Sequence, residues 1–296
     1  MSRGSPVGDR VIAYAVGMEK SRDHLTEGAF QAYTVVRSAL ASAIPDELSF
    51  ERAVVLPLSV STAASALFQP DNLGLRFPTS TPTRSSDVLV VWGGGTSVGM
   101  NAIQLARAAG YTVVTTASVA RSDQLRELGA DHVFDRFSQT VVHDVSAAAR
   151  GAHVAGVLAV GTGSAELSVA IAAATGCRRV ALASPSVSFA SLPRTPGVSR
   201  ALVSTSARLV ARTMALQIRC RLKGIRARFI WGSSLMANEV GPMLWRDFLP
   251  AALADGRYVA APEALVVGHG LEDVQTGLNT LRAGHSGLKL VVTLSS

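Results

Sequence analysis

Val88-Leu89-Val90-Val91-Trp92-Gly93-Gly94-Gly95-Thr96-Ser97-Val98-Gly99-Met100 is the stretch that decides the fold. An unbroken apolar run of strand length predicts a strand buried on both faces, and the glycines behind it predict a tight turn. From Met100 to Ala109 the apolar residues recur at helical spacing, so the turn opens a helix. Tyr111 to Thr116 reads as a second strand and Ser122 to Leu128 as a second helix. Strand, helix, strand, helix implies a parallel sheet with right-handed crossovers, the Rossmann form of the α/β class.

A glycine turn in that context has a chemical consequence. The first amides of the helix lack backbone partners, and the helix dipole favours an anion there. A side chain on Gly93 or Gly95 would block a pyrophosphate, and Gly99 lets the helix pack closely on the strand. The second strand runs out at Thr115-Thr116-Ala117-Ser118, where a site preferring NAD carries an acid for the ribose 2′-hydroxyl. Ser118 and Arg121 stand there instead, a hydroxyl and a forked guanidinium suited to a 2′-phosphate. The expected cofactor is therefore NADPH.

Outward from this unit, later strands are expected at Val154 to Val160 and Arg179 to Ala183, with a helix from Ala165 to Thr175 between them. Val198 to Arg221 reads as an arginine-rich helix, and Phe229-Ile230-Trp231-Gly232 as a strand end. Towards the C-terminus, Ala264 to Val267 and Leu288 to Leu294 read as strands around a helix from Leu271 to Leu281. At the other end, Val11 to Val16 and Tyr33 to Val36 read as short strands, Ser49 as the cap of a helix holding Glu51 in its first turn, and Ser61 to Phe68 as a further helix. Asp71 to Ser86, with Pro78 and Pro82, is a connecting loop.

At 296 residues and 48% hydrophobic content, a soluble chain of two unequal domains is expected. Only Lys20, Lys223 and Lys289 among the 28 basic residues are lysines, so the net charge of +7 is read as coding bias. The arginines lack aromatic interleaving, which speaks against nucleic-acid binding. Ala53 to Pro70, the longest uncharged stretch, is too polar to span a bilayer, and Met1 to Pro6 has no apolar signal core; no membrane role and a cytoplasmic location are expected. Two cysteines, Cys177 and Cys220, exclude a disulfide framework, and neither has a histidine at ligand spacing, so no metal site is expected. His24, His132, His143, His153, His269 and His285 are dispersed and no Gly-x-Ser-x-Gly motif is present, so no catalytic residue is nominated.

Several motifs together resemble the medium-chain dehydrogenase/reductase superfamily, in its zinc-independent quinone oxidoreductase and enoyl reductase branch, which includes trans-acting enoyl reductases. They are Gly8-Asp9-Arg10-Val11; Gly28-Ala29-Phe30 with Tyr33; Ile44-Pro45-Asp46-Glu47-Leu48; Leu56-Pro57-Leu58 with Thr62-Ala63-Ala64; Asn101-Ala102-Ile103-Gln104; Leu128-Gly129-Ala130-Asp131; and Gly284, Ser286 and Lys289. The resemblance implies a partial GroES-like β domain made from residues 1–56 and 257–296 around a Rossmann domain at 57–256. It implies Thr62 near the nicotinamide carboxamide, Thr96, Ser97 and Val98 along the pyrophosphate, Gly161 beside the nicotinamide ribose and Lys289 as a phosphate contact. Leu158 departs from the Asp that relatives often carry three residues before that glycine. The family pattern ordinarily begins well before the Gly-Asp-Arg-Val turn, so the first strands of the GroES-like domain are expected to be missing. The reaction implied is NADPH-dependent reduction of an activated C=C bond in a small molecule (an enone, enoyl thioester or quinone), with a homodimer as the implied assembly. The alternative is a non-catalytic dinucleotide-binding protein that has lost its substrate pocket, and a misassigned start would favour the enzyme.

Overall fold

In the structure, a computed structural model, residues 6–189, 192, 197–284 and 287–294 are described; Met1 to Ser5, His285 and Ser286 lie outside them. The N-terminal flank holds β1 (Val11–Ala13), α1 (His24–Glu27), β2 (Ala41–Ala43) and α2 (Phe50–Ala53), with β1 and β2 paired antiparallel. Ser49 caps α2 as expected, its Oγ accepting the Arg52 amide. Tyr33 to Val36 is not a strand: the Val35 amide reaches the Thr26 carbonyl, no neighbouring strand offers a ladder, and Tyr33 is 92% exposed. Helix α3 (Pro57–Phe68) begins a turn earlier than expected, because Pro57 at its first position needs no amide partner.

The sheet follows. It is built from β3 (Val88–Trp92), α4 (Ser97–Ala108), β4 (Thr112–Ala117), α5 (Ser122–Glu127), β5 (His132–Asp135), α6 (Val141–Ala148), β6 (Val154–Ala159), α7 (Ser164–Thr175), β7 (Arg179–Leu182), α8 (Arg200–Leu222) and β8 (Arg226–Phe229). Its six strands are parallel in the order β5-β4-β3-β6-β7-β8, a doubly wound Rossmann sheet whose winding reverses between β3 and β6. All five residues of β3 are buried. Leu89 and Val91 join the core beneath α3 and α4, with Met100 and Ile103, whereas Val88, Val90 and Trp92 join a second core with Val169 and Ile171 of α7 and Leu216 and Cys220 of α8. Helices on both faces are why the central strand is apolar at every position rather than at alternate ones. Strand β5 and helix α6 were not read from the sequence: β5 lies at the sheet edge without a fully buried residue, and only Val141 and Val145 of α6 are buried.

After β8 come α9 (Val240–Pro242), a π turn at Met243–Phe248 and α10 (Leu249–Ala254), which bury Leu244, Trp245 and Leu249 in the first core. The C-terminal flank is β9 (Glu263–His269), α11 (Val274–Gly284) and β10 (Leu288–Thr293), with β9 and β10 paired parallel across the helix. The two flanks meet where α2 packs on β9. Between them Ala29, Phe30, Val54, Val267, Leu281 and Lys289 line an apolar cleft of about 300 Å³. Among the described residues no helix is long and apolar enough to cross a membrane.

A buried polar network ties these parts together. Asn101 Nδ2 donates to Ser59 Oγ (3.2 Å) on α3 and to the Ala261 carbonyl (3.0 Å), and its Oδ1 accepts the Tyr258 hydroxyl (2.5 Å). Gln104 accepts the Val259 amide (2.9 Å) and donates to its carbonyl (3.2 Å). Two predictions follow from the packing. Asn101→Leu strands the Tyr258 hydroxyl and the Ala261 carbonyl, and chemical denaturation should show a loss of about 2 kcal/mol or more. Lys289, half-buried in the apolar cleft, has its ammonium pKa lowered by burial. The fold therefore carries the cost of a buried charge at neutral pH and is relieved as pH rises through that lowered pKa. Lys289→Met should raise Tm at pH 7, with the gain shrinking as pH approaches the ordinary lysine value of 10.5; a gain independent of pH would contradict this account.

Candidate dinucleotide-binding site

The site forms where β3 ends. Gly93 sits at φ +87°, and a Cβ there would lie 2.5 Å from the Val160 carbonyl oxygen just beyond β6, so a side chain is excluded by both torsion and contact. Gly99, in the first turn of α4, packs its Cα side onto the Gly93 carbonyl and the Gly94 Cα, again with no room for a Cβ. The neighbouring strand holds the turn from the other side. Thr116 Oγ1 accepts the Gly93 amide (3.2 Å) and the Thr116 carbonyl accepts the Gly94 amide (2.9 Å).

Thr96 is the N-cap of α4. Its hydroxyl accepts the Gly99 amide (3.0 Å) and donates to the Gly93 carbonyl (2.8 Å), and its own amide also bonds that carbonyl (3.0 Å). With its one hydroxyl proton committed, Thr96 shapes the turn rather than offering a donor to a phosphate. The amides of Ser97 and Val98 have no protein partner among the described residues, and both residues are partly exposed. Two adjacent amides without a protein acceptor thus stand at the start of a 12-residue helix, the arrangement that favours an anion.

Gly95 faces the end of β4: a Cβ on it would be 3.0 Å from Arg121 Cδ and 3.7 Å from Ala117 Cβ. Arg121 thus lies against the glycine turn, with Nη1 donating to Gln124 Oε1 (2.9 Å) and reaching the Gly287 carbonyl (3.4 Å) of the C-terminal flank. Ser118, half-buried at the end of β4, accepts the Arg121 amide through its carbonyl (3.0 Å). Gly161 follows β6, its amide donating to Ser184 Oγ (2.8 Å) and its carbonyl accepting Ser164 Oγ (2.6 Å). The structure therefore brings Gly93, Gly95, Thr96, Ser97, Val98, Gly99, Ser118, Arg121 and Gly161 to one end of the sheet, over the switch point.

Two expected residues come from elements other than the glycine turn and its neighbouring strands. The Thr62 hydroxyl donates to the Leu58 carbonyl (2.8 Å) within α3 and lies against Gly232, beyond β8. Lys289 lines the apolar cleft of the flanks, which none of the glycine-turn residues lines. Conversely, Thr116 and Ser184, which hold the two segments flanking the crevice, escape sequence reading, since their partners are known only once the strands are paired. Burial raises the thiol pKa of Cys177 and of Cys220, so neither is an activated nucleophile.

The pattern of a family described as zinc-binding dehydrogenase matches residues 97–177. Among the described residues no three His, Cys, Asp or Glu side chains are grouped to hold a metal ion, so the donor set that zinc requires does not fit here and no chemistry is derived through a metal. A dehydrogenase of Monascus ruber, pigH, is 43% identical over 291 residues, covering 97% of this chain and 77% of its own. A trans-enoyl reductase of Aspergillus japonicus, himH, is 35% identical over 295 residues, covering 98% and 75%. Among solved structures, a quinone oxidoreductase of Pseudomonas syringae pv. Tomato DC3000 superposes with a TM-score of 0.62 at 20% identity, covering 98% of this chain and 76% of that one. The chain belongs to the medium-chain dehydrogenase/reductase superfamily, in its quinone oxidoreductase and enoyl reductase branch, and is an oxidoreductase.

Proposed function

We propose that the protein reduces an activated C=C bond of an enone, enoyl thioester or quinone, using NADPH and no metal. The observation that carries the cofactor reading is the pairing of the orphan Ser97 and Val98 amides with Arg121, which flanks the same turn at a strand end bearing Ser118 and no acid. The substrate class is supported by kinship with proteins named trans-enoyl reductases.

Ser97 and Val98 donate to the pyrophosphate, and the missing side chain of Gly95, beside Arg121, keeps its approach open. Arg121 and Ser118 take the 2′-phosphate, the one feature that separates NADPH from NADH. The Gly161 backbone lies beside the nicotinamide ribose, and Thr62, against Gly232 just past the end of β8, lies near the carboxamide. Bound NADPH supplies hydride to the β-carbon of the acceptor. The chain itself needs no strong acid, because solvent supplies the α-proton once the enolate oxygen is stabilised. On the same reading, residues 1–56 and 257–296 make up the GroES-like part and 57–256 the Rossmann domain, two copies pair along the exposed edge of β8, and the enzyme works in the cytoplasm.

Titration of nicotinamide fluorescence tests the cofactor reading. NADPH should bind at least about tenfold more tightly than NADH, and Arg121→Ala should remove that preference while leaving NADH affinity unchanged, the loss of one charge-assisted contact. Ser97→Pro deletes a single orphan amide at a position where proline is compatible with the helix, given the extended Thr96 backbone (φ −86°, ψ 159°). It should weaken both cofactors about tenfold without lowering Tm. Tight NADPH binding with no oxidation by any enone, quinone or enoyl thioester would sink the reductase reading and leave a dinucleotide-binding protein.

A further inference from the structure

Helix α8 is apolar on two opposite faces. Its inner face places Leu216 and Cys220 in the core against β8 and α7, with Leu209 half-buried beside them. At 3.6 residues per turn, Val203, Val210, Met214, Ile218 and Leu222 fall on the far side, and their exposures run from 54% at Val210 to 83% at Leu222. The exposed Ala207, Ala211 and Ala215 fill the gaps, so the outer seam from Val203 to Leu222 is continuous for about 29 Å of helix. A solvent-facing helix normally reserves that side for charge.

The charges are there, but displaced and all of one sign. The 23 residues of α8 hold five arginines and no acid. Arg208, Arg212 and Arg219 line up along one flank of the seam, and Arg200 and Arg221 stand at its two ends. Arg208 bonds the Ser204 carbonyl and Arg212 the Ser186 carbonyl (3.1 Å), and none of the five forms a salt bridge among the described residues. The nearest acid on a packed element, Glu166 of α7, shares a cleft with Arg219 and Lys223.

A second copy of this helix is a poor occupant. Laid antiparallel on the seam it would oppose Arg200 to Arg221 at both ends, and laid parallel it would oppose each to itself. The occupant must offer an apolar layer together with a plane of anions. An anionic bilayer surface does so, because a convex ridge can enter the acyl boundary while neighbouring arginines reach up to phosphate level.

We propose that the outer face of α8 seats the protein in the plane of an anionic lipid surface, independently of the catalytic reading. The sequence expectation of no membrane role counted apolar residues along the chain, which misses a helix whose apolar residues divide between two faces. Co-sedimentation with vesicles of phosphatidylcholine and phosphatidylserine tests it. The full chain should pellet with mixed vesicles at least tenfold more than with pure phosphatidylcholine, less so at high salt. Met214→Glu with Ile218→Glu, both surface positions, should abolish pelleting with the circular-dichroism melt unchanged, and Arg208→Gln with Arg219→Gln should flatten the salt dependence. Equal pelleting with both vesicle types, binding that survives the double glutamate variant, or sedimentation velocity showing a dimer that this variant dissolves while vesicles bind nothing would each overturn the proposal.

Discussion

The chain reversal at Gly93 is the constraint on which the rest of the structure depends. Its carbonyl receives the Thr96 amide and hydroxyl, and its amide is held by Thr116 Oγ1. Its missing side chain lets β3 lie against the Val160 carbonyl. Those contacts fix the first turn of α4 directly over the end of the strand, with Gly99 touching Gly93. Once α4 starts there, its first two amides are left without a protein acceptor among the described residues, since the cap hydroxyl is taken by the Gly99 amide. The anion cradle is thus a by-product of how strand and helix are joined, and the buried apolar strand beneath supplies the rigidity.

The polar network around Asn101 extends this logic to the flanks. A buried amide that satisfied only its own helix would be a liability. Asn101 instead spends its donors on Ser59, Ser97 and the Ala261 carbonyl and its acceptor on Tyr258, so α3, α4 and the chain leading to β9 are registered to one another at a single side chain. The C-terminal flank is tied down a second time where Arg121 reaches the Gly287 carbonyl. One end of the candidate cofactor site and the attachment of the flank therefore share a residue, which couples the position of the flank to the site.

What could be read from the sequence follows from burial. Strands β3, β4 and β6 announce themselves as enclosed runs of apolar residues and threonine, and helices α4 and α7 by the apolar residues of their buried faces. Strand β5 and helix α6 sit at the periphery, where two buried valines carry the packing and leave no period to detect. The Tyr33 to Val36 run shows the converse error: β-forming residues without a neighbouring strand stay irregular. The glycine turn, Ser118 and Arg121 were legible because they are local to one strand-helix-strand unit. The burial of Lys289 and the supporting roles of Thr116 and Ser184 were not, because each is decided by a partner remote in sequence.

The arginines make the same point about composition. Spread through a chain of net charge +7, they read from the sequence as coding bias. Bias sets how many arginines a chain has but not where they fall on a helix. In β8 the exposed Arg226 and Arg228 share one Asp71, whereas in α8 five arginines border one flank and the ends of an exposed apolar seam with no acid in the helix. A solvated face tolerates either arrangement at little cost. Exposed Met214, Ile218 and Leu222 gain nothing from water, however, and a folded chain keeps such a row on its surface without penalty only when another surface covers it. The apolar row, more than the charge beside it, therefore separates α8 from the rest of this arginine-rich surface.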